Sequence, residues 1–548
     1  MSRDQHWQLA ITPLSPVHLG SGQDYEPTGY VIDDGALYEF DAIAALGALP
    51  AAERDKLGKT LNGPPSQAML REVQAFFHAN RERLIPVARR CVQVNPSIEA
   101  FYQERVGRIV QREQGGRDVQ NRLEIERTAY NLVNGAPMLP GSGLKGAIRT
   151  ALLDGENQGQ SLPGQLRGDR SANLKLQQQL FDYRAGQFEH DPLRLIRLAD
   201  APPAIPDATA TRVHFAVNRK KSEVMVGGQL VNSQAAQQGL YQLLECLVPL
   251  QPRAFVGQIS IQETLGIESR HWPSLRFDLP TIAAACNTFY RPIFDDELDR
   301  LRQRRFADDG WVQAVQRLLT GPLAERLGTH RAFLLRVGRH SGAESVTLNG
   351  VRDIKIMKGR GERPEFLPYA KTFWLAAMEP GAQLGLLPFG WLLVEPYDAV
   401  TPLATLDLPN QAPETSAWQA RVAARRQALS AQLAEARERE VQAHRERETA
   451  VREAAQREAR RAALSPQERE LDALRELLRR DQESGVKQAG GELAESLVKL
   501  LKTAAQTWPQ PERSELADLA EQIYGYLGWP AAKKKRERQE QIQALRVD

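Results

Sequence analysis

The chain has 548 residues, 42% of them hydrophobic and 25% charged, a folded-protein composition too long for a single core. Its 71 Lys+Arg and 68 Asp+Glu leave a net charge of +3, with 25 and 22 of them in residues 415–548 and 46 of each before it. Any nucleic-acid surface must therefore be a local patch and not a global field. No run of eighteen apolar residues occurs and the N-terminal segment lacks a signal-peptide core, so a cytoplasmic protein without membrane contact is expected.

Trp7, Leu9 and Ile11 alternate with polar or small residues, the period of a half-buried strand, which Pro13 and Pro16 end. VHLGSGQDYEPTGY follows. Gly20 and Gly22, flanking Ser21, let a backbone approach closely, and His18 and Tyr25 can hydrogen-bond or stack there. A second strand at 36–40 runs into Asp41, an N-cap for a helix over 42–48. Residues 51–127 read as mainly helical, broken at Gly63-Pro64-Pro65, Asn95-Pro96 and Gly115-Gly116, with Val73, Phe76 and Phe77 facing a sheet.

The organising stretch is LPGSGLKGAIRT, residues 139–150. Pro140, Gly141 and Gly143 interrupt regular structure, Ser142 is placed as an N-cap, and residues 144–153 read as a helix. Lys145 and Arg149 share one face, and Leu144, Ile148 and Leu152 share the apolar one. A glycine turn feeding a helix N-terminus presents backbone N–H groups and a positive dipole end, a cradle for phosphate. The alternative is an ordinary loop-to-helix junction with a solvated Lys/Arg face.

Residues 154–187 read as a surface loop with a short helix near 173–182, and PLRLIRLA at 192–199 as a strand. Two strands at 214–217 and 223–226 flank Asn218-Arg219-Lys220-Lys221, read as an exposed cationic turn suited to phosphate. AFVGQISI at 254–261 is a strand, and residues 275–290 and 294–327 are helical. A strand at 332–337 leads into a glycine-rich loop carrying Arg339, His340, Arg352 and Lys355, matched to tracking a backbone. Strands at 373–375 and 384–395 close the globular part.

A Pro-rich linker spans 396–416. Residues 417–464 form a charged helix whose large apolar residues, Trp418, Val422, Leu429 and Leu433, sit in its first third; this predicts an exposed single helix held by Glu/Arg pairs. Ser465-Pro466-Gln467-Glu468 is a capping box, and leucine stripes after it predict a small helical bundle over 465–548 with a polar end at 531–548.

The pairing of ITPLSPVHLGSG with LPGSGLKGAIRTALL resembles the RAMP superfamily of type III CRISPR effector complexes. NRLEIERTAY, LIRLAD, LLRVGRHSGAESVT and LGLLPFGWLLVE follow in the same order, so the likeness covers about residues 5–395. More narrowly it resembles the Csm-type subunit five of type III-A, at the filament end that covers the 3′ part of the guide RNA. The resemblance implies an α+β fold of ferredoxin-like, RRM-type units, two of them, over residues 1–395, with a helical insertion at about 51–127 and an all-α extension outside the family pattern. It further implies guide RNA, the other type III subunits and target RNA as partners, and a role in guide maturation and antiviral defence. Candidate RNA contacts are His18, Gly20, Ser21, Gly22 and Tyr25; Gly141, Ser142, Gly143, Lys145 and Arg149; Arg219 and Lys220; and Arg339, His340, Arg352 and Lys355.

Catalysis is the competing reading, because some RAMP proteins cleave repeat RNA without metal. Cleavage needs a base on the 2′-OH and an acid on the leaving oxygen, and His18 has no evident partner for that task. Asp24, Asp33, Asp34 and Asp41 suit turns and caps as well as a metal, and no cluster has metal-ligand spacing. The residues favour a binding subunit without cofactor or metal. A repeat endoribonuclease using His18, or a protein–protein scaffold acting through the C-terminal helices, stands as the alternative.

Overall fold

The structure is a computed structural model describing the chain except residues 1–3, 109–110, 113–117, 120–122, 167–168, 170, 206–208, 224, 227–228, 231–240, 264–271, 359–361, 399–402, 410–411, 486 and 548. The Gly115-Gly116 break and the first two residues of NRLEIERTAY thus lie outside the described residues. Two compact units are formed, Met1–Leu433 and Ala434–Asp548.

In the first unit, Asp4–Pro13 is the axis of a five-stranded antiparallel sheet. It pairs with Phe255–Gln262 on one side and Trp391–Tyr397 on the other, with Ile196–Leu198 and Phe333–Arg336 outermost. Taken in chain order, Asp4–Pro13, Ile196–Leu198, Phe255–Gln262 and Trp391–Tyr397 lie in the spatial order four-one-three-two. The helix Gly141–Asn157 follows the first of them and Leu279–Gln303 the third. This is the ferredoxin-like βαββαβ arrangement, with Phe333–Arg336 added outside the last strand. Leu144, Ile148 and Leu152 bury the expected helix face, and the Tyr290 hydroxyl donates to the Ala147 carbonyl at 3.0 Å to lock the two crossover helices.

The second sheet is mixed. Its strands run Gly20–Tyr25, Ile125–Thr128, Tyr241–Leu247, Thr211–Lys220, Arg90–Gln93, Ala36–Glu39, Tyr30–Asp33, and Thr372–Ala377 pairs with the C-terminal half of Thr211–Lys220. All of them come from excursions between strands of the first sheet, so the two sheets are interleaved along the chain. Glu245, fully buried on Tyr241–Leu247, ties this sheet together. Its carboxylate accepts from the Arg90 guanidinium, Tyr25 Oη at 3.0 Å, the Thr128 N–H at 3.2 Å and Thr211 Oγ1 at 2.5 Å. A buried carboxylate stripped of partners would cost several kcal/mol, so this set fixes five strands at once.

Several expectations are corrected. The helix begins at Gly141 with Pro140 as its N-cap, so neither a loop at Gly141–Gly143 nor a Ser142 cap exists. Residues 51–127 also supply strands of the second sheet. Asn218-Arg219-Lys220 continues the Thr211–Lys220 strand, and Arg219 is 0% exposed, donating to the carbonyls of Pro380 (3.2 Å) and Ala382. The glycine-rich loop after 337 contains short strands at Ile354–Ile356 and Glu365–Leu367. The first third of the helix Ala412–Ala463 is docked and not exposed: Trp418, Val422 and Leu429 are buried against Tyr38, Phe40 and Phe77. Arg425 pairs there with Asp33. Hydrophobic burial explains why the large side chains gather in that third.

In the second unit, Pro466–Glu483, Glu492–Thr507 and Gln510–Leu527 pack their leucine stripes together, and the Ser465–Glu468 capping box is present. Residues 532–546 add a fourth helix, Ala532–Arg546, with Ile542 and Leu545 buried where a polar end was expected.

Gly141 is fixed by packing. A Cβ there would lie 2.4 Å from the Leu198 carbonyl oxygen, whereas one at Gly146, in the same helix, meets nothing within 4 Å. Gly141→Ala should therefore lower the unfolding free energy by about 1–3 kcal/mol in urea titrations. Gly146→Ala should raise it by up to about 1 kcal/mol; equal effects would contradict this packing.

Candidate nucleic-acid interface

Three glycine-bearing segments far apart in sequence meet around one side chain. The Leu19 methyls lie 3.1 Å from the position of a Cβ on Gly143 and 3.5 Å from one on Gly338. A Cβ on Gly338, whose φ is +80°, would also fall 2.2 Å from the His18 carbonyl oxygen, and the Arg339 N–H donates to that oxygen at 2.9 Å. His18–Gly22, Gly141–Lys145 and Gly338–His340 thus share one junction, at which Gly20, Ser21, Gly22, Ser142 and Arg339 are exposed. Gly20–Tyr25 is an edge strand, irregular between Gly20 and Asp24, so its backbone faces solvent with little side-chain cover.

The helix N-terminus itself is already occupied. The Gly141 N–H donates to Asp200 Oδ1 at 2.7 Å, which places a carboxylate where the sequence suggests a phosphate. Two negative charges about 4 Å apart repel by roughly 4 kcal/mol at an effective dielectric near 20. The helix end returns only about 0.3–1 kcal/mol. An incoming phosphate is therefore disfavoured at Gly141.

The two cations of this helix are likewise engaged within the chain. Lys145 Nζ donates to the Ile196 carbonyl at 2.7 Å, and burial lowers its pKa. Arg149 pairs with Asp191 at 2.6 Å, its guanidinium 5.7 Å from the centre of the Phe181 ring. Both act as struts between the helix and residues 191–196, a role their i, i+4 spacing did not reveal.

His18 is 1% exposed, not an open loop residue. Its Nδ1 lies 2.7 Å from the Glu245 carbonyl oxygen, which can only accept, so Nδ1 carries the proton in the neutral ring. Nε2 has no hydrogen-bond partner among the described residues and sits 3.8 Å from a Glu126 carboxylate oxygen. Burial lowers the His18 pKa, and in this conformation a ribose hydroxyl cannot reach the ring. Tyr25 is also buried, through its bond to Glu245. His340, at φ +62°, stacks on Trp374 with ring centres 4.5 Å apart and bonds Gln242 Oε1 at 2.8 Å. Burial, with Arg339 and His18 adding to it, lowers its pKa to about 3.

Arg219, Lys220, Arg352 and Lys355 are not brought to this junction. Arg219 is interior, Lys220 and Arg352 line a separate cleft, and Lys355 is exposed on Ile354–Ile356. Among the candidate acids, Asp33 pairs with Arg81 and Arg425, and Asp41 caps the helix Ala42–Ala48. Among the described residues no group of three or more His, Cys, Asp or Glu is placed to hold a metal, and no helix is long and apolar enough to cross a membrane.

Sequence reasoning missed Arg90, Arg127, Tyr130 and Glu245, which underlie the edge strand. Arg127 pairs with Glu39 at 3.1 Å and lies 3.6 Å from the Tyr130 ring centre. The available signal was Glu245 itself: one acid inside the apolar run YQLLECL requires buried donors.

A model of the RAMP superfamily matches residues 10–256. The curated "CRISPR system Cms protein Csm5" of Streptococcus thermophilus is 28% identical over 161 residues, which are 27% of this chain and 38% of that relative's own length. Among solved structures, a chain of the cryo-EM Csm–crRNA–target RNA ternary complex of a type III-A CRISPR-Cas system aligns with a TM-score of 0.35 at 15% identity, over 71% of this chain and 100% of that one. The crystal structure of T. onnurineus Csm5 aligns with a TM-score of 0.38 at 16% identity, over 70% and 99%.

The buried histidines give the fold an acid limit. Burial lowers the pKa of His214, like that of His340, to about 3. Between the unfolded value near 6.5 and that value the unfolded chain binds more protons, so stability falls as pH drops through this window. From pH 7.5 to 5.0 each should remove about 2 kcal/mol in urea unfolding. His340→Asn should shrink the loss by about that amount; a pH-independent stability would contradict the assignment.

Proposed function

We propose, from the match of residues 10–256 to a model of the RAMP superfamily, that this chain is a non-catalytic, guide-RNA-binding subunit of a type III-A CRISPR ribonucleoprotein. In that role it caps the end of the filament over the 3′ part of the guide, contacts neighbouring subunits and target RNA, and supports guide maturation and antiviral defence. The likeness to Csm5 supports this reading. The observation that carries it is the junction of His18–Gly22, Gly141–Lys145 and Gly338–His340 around Leu19.

The chemistry follows from what is exposed there. Gly20 and Gly22 let a sugar-phosphate strand lie against the irregular edge strand without side-chain obstruction. Ser142 offers a hydroxyl donor beside the helix start. Arg339, 43% exposed on its side chain, pairs with Glu126 at 2.9 Å. A surface pair of this kind contributes at most about 1 kcal/mol, so a phosphate can take over the guanidinium. His18, Tyr25, Lys145 and Arg149 hold the junction from beneath. Binding is then driven by backbone contacts, with steep salt dependence and little sequence preference.

Fluorescence polarisation with a labelled single-stranded RNA of about 40 nucleotides tests this. Arg339→Glu and Ser142→Glu should each weaken binding about tenfold or more at moderate salt, about 1.4 kcal/mol, and Arg339→Glu should lower the salt slope by about one. Unchanged affinity in both variants would overturn the assignment of the junction. Metal-independent RNA cleavage that His18→Ala abolishes would replace the non-catalytic reading.

A further inference from the structure

The first unit holds a second cationic feature away from the Leu19 junction, a cleft of about 500 Å³. Its walls are the end of the Thr211–Lys220 strand with Lys221 and Ser222, the outer face of Leu279–Gln303, and residues 344–352 and 368–371. We propose that this cleft binds a ribonucleoside phosphate, with the phosphate on Lys220 and Arg352 and the base against Tyr369.

Charge selects the phosphate. Five cations line the cleft, Lys220, Lys221, Arg300, Arg352 and Lys371, against two carboxylates, Asp296 and Glu344. Both carboxylates are already neutralised. Glu344 accepts from Lys221 at 2.7 Å and from the Ala370 N–H at 2.7 Å, and Asp296 receives Arg300 Nε at 2.8 and 3.0 Å. Lys371 turns to Glu365, outside the lining, at 2.7 Å. Two positive charges then remain. Arg352 is held by neutral oxygens only, Thr347 Oγ1 at 3.0 Å and the Glu344 and Thr347 carbonyls at 3.0 and 3.1 Å. Lys220 pairs with no carboxylate among the described residues. A guanidinium oriented by neutral acceptors keeps its full charge and geometry for an anion.

The remaining wall selects the base. Pro292, Ile293 and Pro368 are apolar, and Tyr369 is 52% exposed, a large ring left unburied beside the cations. Inorganic phosphate alone would leave that surface in water, whereas a nucleobase covers it; base–aromatic stacking contributes a several-fold or greater gain. The volume is within the range of small-ligand sites, and one nucleotide fills it better than a duplex or a protein loop would. The nucleotide can be free or can be part of a strand, and the chemistry of the cleft is the same for both.

The test is calorimetric titration of the full chain with adenosine 5′-monophosphate, with adenosine and inorganic phosphate as separate probes. The monophosphate should bind saturably, and each half-probe at least tenfold more weakly. Tyr369→Ala and Lys220→Glu should each weaken the monophosphate at least fivefold with an unchanged thermal midpoint. Tyr369, being exposed, keeps the test valid should the lysine variant fold poorly. Arg339→Glu should leave this binding intact, which separates failure of the cleft from failure of the junction. Displacement of the monophosphate by a linear but not a circular RNA assigns the cleft to a strand end, displacement by both to an internal nucleotide, and by neither to free nucleotides. No saturable binding, equal binding of phosphate alone, or indifference to both substitutions would overturn the proposal.

Discussion

The absence of three Cβ atoms governs the first unit. At Gly141 a methyl would strike the Leu198 carbonyl, at Gly338 the His18 carbonyl, and at Gly143 it would crowd Leu19. Close approach of backbone to backbone is what allows an edge strand, a helix start and a returning loop to converge. Backbone atoms cannot swing aside as side chains do, so Gly141 and Gly338 tolerate no substitution without a shift of whole elements, whereas at Gly143 the Leu19 side chain has to yield. The junction is thereby a surface of main chain and small side chains, with one exposed guanidinium on its rim.

Electrostatics reinforces that arrangement from the inside. Glu245 gathers donors from four neighbouring strands, and Asp200, Asp191 and Glu126 take up the N–H and cationic groups nearest the helix. Most of the conspicuous cations are therefore structural. The Arg339–Glu126 pair is exposed and weak enough to exchange, while the bond from Gly141 to Asp200 guards a site that a phosphate would enter only against like charge. In the proposed RNA-binding role, the balance of these two terms puts anion contact on the rim and not on the helix axis. In the separate cleft, charge survives for a different reason, because Arg352 meets only neutral acceptors.

Much of this was legible in the sequence, and what was not has identifiable causes. The alternation of Trp7, Leu9 and Ile11, the apolar face of Leu144, Ile148 and Leu152, and the Ser465 capping box are local signals that local physics decides. The ferredoxin-like order came from resemblance, since strands separated by well over a hundred residues leave no local trace of their pairing. Arg219 misled because a cation among Asn and Lys reads as a solvated turn, whereas carbonyls from residues 380 and 382 solvate it inside the sheet. Trp418, Val422 and Leu429 were recognised as a cluster, but only the fold supplies the groove they fill. For Lys145 and Arg149 the spacing gave the shared face correctly and said nothing of Ile196 and Asp191 waiting beside it.

The most direct measurement is where RNA touches the chain. Photocrosslinking of a 4-thiouridine-labelled single strand to the full-length protein, followed by mass spectrometry of the adducts, reads that position without any substitution. The account predicts adducts concentrated in peptides containing residues 18–25, 139–149 and 338–341. Adducts confined to residues 434–548, with none on those three peptides, would contradict it.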